Sequence, residues 1–145
     1  MNFFIVGAAK CGTTTLFEAL SKHPLVFIPQ RKECRYFSRL PATVSGPGFR
    51  DADYAIHAAE AYRDLFKQAQ PGQLLGDVSP DYLYYHHNAV PGILNEVGAK
   101  APVIIVLRNP IDRAYSNYVY HITEGRETLS FEAALEAESE RRIAG

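Results

Sequence analysis

A glycine-rich segment near the N-terminus carries a lysine where backbone and side chain can bind the same anion. Gly7 and Gly12 enclose a short loop that contains Lys10, an apolar run (3–6) precedes it, and a run of threonines (13–15) follows. A helix N-terminus offers unpaired N–H groups and a positive dipole end, so a strand, a glycine loop and a helix in this order bind phosphate-like anions. The donors that this pattern predicts are Ala9, Lys10, Cys11, Gly12, Thr13 and Thr14.

The position of the lysine separates this loop from that of nucleotide-hydrolysing proteins. Their motif, G-x-x-x-x-G-K-[ST], has its lysine directly after the second glycine. Here that position is Thr13, and the lysine lies inside the loop as Lys10. Two alternatives stay open at this point. One is an ordinary turn between a strand and a helix, and the other is the loop of an ATP- or GTP-using kinase.

The ends of two apolar runs bear on the kinase alternative, because such an enzyme needs an aspartate after a hydrophobic strand to hold Mg²⁺. Asp77 ends one run, but the clearest strand pattern (103–107) ends in Arg108. Arg108 stands at the carboxyl end of its strand, where ligands of open α/β sheets bind, but taken alone it is best interpreted as a surface arginine, and Ser116 as a solvated helix serine. Ser116 lies about two turns into the helix that begins near Pro110 and can face the same side. This arrangement argues against a kinase, and we expect no metal.

Several segments of the chain resemble those of one enzyme family. Residues 3–16 resemble the 5′-phosphosulfate loop of sulfotransferases that use 3′-phosphoadenosine 5′-phosphosulfate (PAPS), and residues 103–118 resemble their second signature, which binds the 3′-phosphate. Between them, residues 32–37 resemble the acidic segment of carbohydrate sulfotransferases, and residues 76–83 resemble a further family segment. The resemblance implies a P-loop-like α/β fold and transfer of a sulfuryl group from PAPS.

The resemblance also implies roles for individual residues. Lys10 is expected to contact the phosphosulfate bridge, and Arg108 and Ser116 are expected to hold the 3′-phosphate of PAPS or of its product PAP. The expected acceptor is a hydroxyl of a carbohydrate or small alcohol, or an amine. The chain departs from heparan-type members, which have a histidine, an acidic residue and a lysine at three positions, so we expect a different substrate site. The residues here are Arg35, Ser38 and Val78.

Glu33 is the predicted general base, which sulfuryl transfer requires because the acceptor hydroxyl must lose a proton. It follows the second predicted strand, so it should project from the same sheet edge as the glycine loop. The alternative interpretation is a surface carboxylate paired with Lys32 or Arg35, since exposed charge runs are common. If Glu33 is not the base, His86 and His87 are the next candidates.

Strand and helix patterns alternate along the chain, which predicts an α/β fold with a parallel sheet flanked by helices. We expect one sulfotransferase-like domain over residues 1–145, incomplete at its C-terminus, because family members generally add a strand and a loop that covers the cofactor. Because the chain is short, a non-catalytic domain that binds a nucleotide or a partner protein is an alternative function. The predicted strands are 3–6, 25–28, 74–78 and 103–107, and residues 41–50 are predicted to form a loop. Helices are predicted to begin at Thr13 and near Pro110, and three more are predicted over 51–69 with Asp51 as its cap, over 88–97, and over 131–142 with Ser130 as its cap.

Composition limits the remaining function classes. The 145 residues are 47% hydrophobic and carry a net charge of −1, so the chain is neither disordered nor a general nucleic-acid binder. Seven of the 15 basic residues fall within residues 1–50, with only two acidic residues there, which indicates a local anion site. No apolar run is long enough to cross a membrane, and we expect no signal peptide. The two cysteines favour a reducing, cytoplasmic location; the oligomeric state is not indicated.

Overall fold

The computed structural model describes residues 1–40, 55–100 and 102–144, and in it the first apolar run becomes the central strand of a parallel sheet. This strand, β1 (Phe3–Gly7), is buried along its whole length. It pairs in parallel with β3 (Leu74–Val78) and β4 (Val103–Ile105), and β2 (Val26–Phe27) pairs in parallel with β3. The order is therefore β2-β3-β1-β4. These pairings confirm the predicted parallel sheet.

Helices flank or follow these strands, as the predicted α/β fold requires. Parallel neighbours need long crossover connections, and helices supply them here. The helices are α1 (Thr13–Ser21), α2 (Ala59–Asp64), α3 (His86–Val97), α4 (Pro110–Thr123), α5 (Phe131–Glu136) and α6 (Glu138–Ala144), with short 3₁₀ turns at Tyr36–Ser38 and Pro80–Tyr82. No helix in the described part of the chain is long and apolar enough to cross a membrane.

The chain divides into two compact units, residues 1–107 and residues 108–145. The first unit contains the whole sheet with α1, α2 and α3, and the second contains α4, α5 and α6. That residues 1–145 act as one domain stays a prediction.

Side chains of β1 alternate between two apolar clusters, one on each face of the sheet. Phe4 and Val6 pack with the aromatic residues Tyr36, Phe37, Tyr62 and Tyr82. Phe3 and Ile5 pack on the other face with Val78 and the apolar side of α1. Since both faces are covered, β1 is apolar at every position instead of alternating, which is typical of a buried parallel strand.

Several predicted boundaries are confirmed because local signals set them. β3 spans Leu74–Val78 as predicted, α1 begins at Thr13 and α4 begins at Pro110. Ser130 caps α5 as predicted: its hydroxyl accepts a hydrogen bond of 3.3 Å from the Ala133 N–H.

Other predicted boundaries are wrong. Of the helix expected over 51–69, the described residues 55–69 are α-helical only at Ala59–Asp64. Before Ala59, the Ile56 N–H donates to the Cys34 carbonyl at 2.8 Å and holds that stretch in a tertiary contact. The predicted cap Asp51 and the predicted loop 41–50 lie outside the described residues. The final helix is interrupted at Ala137, and β4 ends at Ile105 before the predicted Leu107.

A buried carboxylate lies within the aromatic cluster. Asp77 is 3% exposed and accepts hydrogen bonds from the hydroxyls of Tyr82 (2.8 Å), Ser79 (2.9 Å) and Tyr62 (3.0 Å). Burial raises the pKa of Asp77, and the hydroxyl donors act in the opposite direction. Burial, reinforced by the nearby Asp77 charge, raises the pKa of the Cys34 thiol to about 12, so that thiol is neutral at neutral pH. Asp77 therefore accepts hydrogen bonds from three hydroxyls of the core. It is not exposed at the end of β3, where a metal ligand at the sheet edge would lie.

Replacing Asp77 with alanine is expected to destabilise the fold by about 3 kcal/mol, because several buried hydroxyls lose their acceptor together. The measurement is urea unfolding of the wild type and the variant. The control is Asp64→Ala, which removes an aspartate 45% exposed and paired with Lys67; it should cost less than about 1 kcal/mol. Equal losses in the two variants would contradict the structural role of Asp77.

Candidate active site

The glycine loop directly follows β1, and its first residues are hydrogen-bonded to the residue that follows β4. The Ala8 N–H donates to the Val106 carbonyl, and the Val106 N–H donates to the Gly7 carbonyl, both at 2.8 Å. These bonds attach the start of the loop to the neighbouring strand. The loop therefore begins at the carboxyl edge of the sheet, where parallel folds bind ligands.

Glycine is required at position 7 for two reasons. Its φ of +154° lies in a region that residues with a side chain rarely adopt. In addition, a Cβ atom there would lie 2.8 Å from the Leu83 Cβ and 3.0 Å from the Pro80 carbonyl oxygen. The turn after β3 therefore packs directly against the backbone of the loop.

The second glycine sets the direction of α1. Gly12 is left-handed (φ 95°), and its carbonyl accepts the first helical bond, from the Leu16 N–H at 3.1 Å. The N–H groups of Thr13, Thr14 and Thr15 lie in the first turn, where a helix provides no acceptor of its own. They supply the donor set of an anion site, with the positive end of the helix dipole behind it.

The predicted anion-binding residues differ in exposure. Thr13 and Cys11 are buried, and the Cys11 thiol donates to the Ala9 carbonyl at 3.6 Å, so these two residues can offer only backbone groups. Thr14 is exposed, and Lys10 is half-buried with a left-handed backbone (φ 64°). Side-chain chemistry at the loop therefore comes from Lys10 and Thr14.

Glu33 lies beside the loop, at the carboxyl end of β3. Its N–H donates to the Val78 carbonyl at 2.9 Å, and Val78 is in register with Ile5 of β1. The structure thus places the predicted base at the same sheet edge as the loop. The ion pairs of the alternative interpretation are also present: Glu33 Oε1 is 3.0 Å from Lys32 Nζ, and Oε2 is 3.5 Å from an Arg35 guanidinium nitrogen.

Lys32 joins the two parts of the site, and sequence reasoning assigned it no role of its own. Its ammonium donates to Thr14 Oγ1 at 2.7 Å while pairing with Glu33 at 3.0 Å. It thus reaches from the segment after β2 to the first turn of α1. The only signal for it in the sequence is its place next to Glu33.

The charge network continues away from the loop. The Arg35 Nε is 4.0 Å from Asp81 Oδ2, and the Ser38 hydroxyl donates to the same oxygen. Burial raises the pKa of Asp81, while the Ser38 hydrogen bond and the Arg35 charge act against the shift. Arg35 and Ser38, which differ from the heparan-type pattern, therefore contact the same carboxylate, and Asp81 is a site residue that the sequence analysis missed.

The remaining candidate bases are exposed. His86 and His87 begin α3, with their rings 4.0 Å apart, and His86 Nδ1 lies 3.3 Å from the Leu83 carbonyl oxygen. Within the described ranges, no three His, Cys, Asp or Glu side chains converge as a metal site requires.

Arg108 and Ser116 belong to the second unit. Arg108 is exposed before α4, and Ser116 is half-buried within that helix. The Asn109 side chain caps α4 by accepting a hydrogen bond of 3.0 Å from the Ile111 N–H. The segment after α4 is held by the Tyr118 hydroxyl, which donates to the Leu129 carbonyl at 3.0 Å.

Comparisons with known proteins agree on one family. The model of the sulfotransferase family matches residues 2–144 of this chain. Carbohydrate sulfotransferase 15 of Mus musculus is 26% identical over 90% of this chain and 29% of its own length. Heparan sulfate glucosamine 3-O-sulfotransferase 3B1 of Mus musculus is 29% identical over 89% of this chain and 29% of its own length.

A solved structure has the same architecture. The crystal structure of a sulfotransferase from Alicyclobacillus acidocaldarius superimposes with a TM-score of 0.89 and 40% identity, and the match covers 99% of this chain. This chain corresponds to 58% of that protein and to less than a third of the two curated relatives.

Replacing Gly7 with alanine is expected to destabilise the protein by about 3 kcal/mol, because the new Cβ is strained and also collides with the turn at Leu83. The matched control is Gly72→Ala, since Gly72 also has a positive φ (+89°) but nothing within 4 Å of the new atom; it should cost about 1 kcal/mol. Urea unfolding measures both. Equal effects would mean that the close approach at Gly7 is unimportant.

Proposed function

This chain belongs to the sulfotransferase family, and we propose that it transfers a sulfuryl group from PAPS to a hydroxyl of a carbohydrate. One observation supports this most directly: an anion site at the N-terminus of α1 and the carboxylate of Glu33 are joined through Lys32. A group-transfer enzyme needs both parts side by side, a site for the anionic donor and a base for the acceptor.

The residues of the first unit fit PAPS by the chemistry of their donors. A left-handed glycine, the first-turn N–H groups and Lys10 form a positive, hydrogen-bonding surface suited to a phosphosulfate. PAPS supplies an activated sulfuryl group on a phosphate leaving group. The residues that would hold its 5′ end are Ala9, Lys10, Cys11, Gly12, Thr13 and Thr14.

Lys10 and the N–H groups of the loop stabilise negative charge on the leaving oxygen. Fixed donors directed at developing charge are among the largest contributions to catalysis, since they need no reorganisation during the reaction. Lys10 suits this task because it lies within the loop itself, between Gly7 and Gly12.

Glu33 accepts the proton of the acceptor hydroxyl. Its main chain is fixed by the bond to Val78, and its two carboxylate oxygens each face a different cation, Lys32 and Arg35. A carboxylate held in one orientation at the edge of the anion site is positioned to act as a general base.

Arg108 and Ser116 are proposed to bind the 3′-phosphate, on the strength of the sequence resemblance. Arginine binds phosphate through paired N–H donors, and a serine hydroxyl adds a neutral donor. A carbohydrate acceptor is supported by the two curated relatives, which are named a carbohydrate sulfotransferase and a heparan sulfate glucosamine 3-O-sulfotransferase. The cytoplasmic location stays a prediction.

The nucleotide preference tests this function. PAP should bind about 10²-fold more tightly than AMP, because a charge-assisted contact to the 3′-phosphate contributes a few kcal/mol. PAP should also bind better than ADP, with or without Mg²⁺. Arg108→Ala should remove most of the preference for PAP over AMP, whereas Arg63→Ala, at an exposed arginine paired with Glu96, should leave it unchanged. Calorimetric titration measures these affinities, and equal binding of PAP and AMP by the wild type would contradict the proposal.

Glu33→Gln should lower the transfer rate by roughly 10²-fold while PAP binding stays within about threefold, because the amide keeps the shape of the base and cannot accept the proton. The matched control is Glu96→Gln, which changes another carboxylate paired with an arginine. Transfer of radiolabelled sulfate to an oligosaccharide gives the rate. Loss of binding and transfer together would indicate a structural ion pair, and full activity would direct attention to His86 and His87.

A further inference from the structure

Lys32 holds an unusual place in the candidate site, because its ammonium contacts both the anion-binding helix and the predicted base. It donates to Thr14 Oγ1 at 2.7 Å and lies 3.0 Å from Glu33 Oε1. An ammonium has three N–H donors. One cation therefore fixes the spacing between the first turn of α1 and the carboxylate.

The two cations on Glu33 are not equivalent. Arg35 contacts the other carboxylate oxygen at 3.5 Å and extends to Asp81, away from the loop. Lys32 alone links Glu33 to the first turn of α1 among the contacts described for that carboxylate. Removing Arg35 would leave the Lys32 contacts between Glu33 and Thr14 in place, whereas removing Lys32 would break them.

The Lys32–Glu33 pair is partly buried, whereas the Lys32–Thr14 hydrogen bond lies at the surface. The side chain of Lys32 is 19% exposed and that of Glu33 is 34% exposed. Exposed pairs contribute little because both side chains lose freedom and water screens their attraction. Here the Glu33 backbone is already fixed by its bond to Val78, so the ion pair has only the carboxylate left to orient.

We infer that Lys32 is a positioning residue that holds the Glu33 carboxylate against the donor-binding helix through Thr14. The inference rests on the proposed function, because it assigns Lys32 a task in sulfuryl transfer. Lys32 acts through Glu33: it sets where the proton acceptor lies relative to the acceptor hydroxyl, and small displacements of a reacting group cost large factors in rate.

Kinetics of single variants give the first test, on the full chain. Lys32→Met keeps the stem and removes the charge, so kcat should fall about tenfold or more while KM for PAPS and the affinity for PAP stay within about threefold. Lys32→Arg retains charge and reach, and it should recover kcat to within about threefold of the wild type. Lys67→Met, which breaks an exposed pair with Asp64, is the control and should leave kcat unchanged. A change in KM alone, or no rescue by arginine, would overturn the inference.

A double-variant cycle separates action through Glu33 from direct action on the donor. If Lys32 works through Glu33, Lys32→Met should lower the residual rate of the Glu33→Gln protein by less than about twofold. If the two effects multiply, Lys32 acts on the donor instead, and the positioning role is wrong. Absence of transfer by the wild type would overturn the proposed function and this role with it, whereas multiplying effects in an active enzyme overturn only the role of Lys32.

Unfolding experiments test the bridge without any activity measurement. In a cycle of Lys32→Met and Thr14→Val, the unfolding equilibrium constant of the double variant should differ at least about threefold from the product of the single effects. The same nonadditivity is expected for Lys32→Met with Glu33→Gln. Additive effects in both cycles would show that the ammonium does not join these residues in solution and would overturn the inference.

Discussion

The candidate site depends on how β1 leaves the sheet between two parallel neighbours. The Ile5 carbonyl accepts from the Ser79 N–H at the end of β3, and the Gly7 carbonyl accepts from the Val106 N–H after β4. Parallel strands end at a common edge, so these bonds bring the glycine loop, the turn after β3 and the end of β4 together. The missing side chain at Gly7 is the steric condition for this meeting, because Leu83 occupies that space.

Two carboxylates near this edge are held in different ways, and their surroundings set their roles. Asp77 is surrounded by hydroxyl donors inside the aromatic cluster, where burial raises its pKa and its oxygens satisfy the core. Glu33 is partly exposed and held by cations from both sides. The buried carboxylate stabilises the scaffold, and the partly exposed one is accessible to solvent at the sheet edge.

Much of the fold follows from local sequence signals. The continuous apolar run at 3–6, which stops at Gly7, and the segment 74–78, which follows a turn, are both strands. Pro110 and Ser130 mark helix starts correctly, because first-turn proline and serine caps act through neighbouring backbone groups. The alternation of these elements was enough to predict a parallel sheet, since parallel neighbours need helical crossovers.

The sequence by itself determined the parts that act within a few residues: the glycine loop, its lysine, the threonines that begin α1, and the strand before them. Tertiary structure decided the contacts between distant segments. The start of α2 was mispredicted because Ile56 bonds to the Cys34 carbonyl, which periodicity cannot reveal. The contact of Lys32 with Thr14 likewise exists only because the segment after β2 returns to the sheet edge where α1 begins. Spacing along the chain carries no information about that distance, because parallel pairing of β2, β3 and β1 sets it.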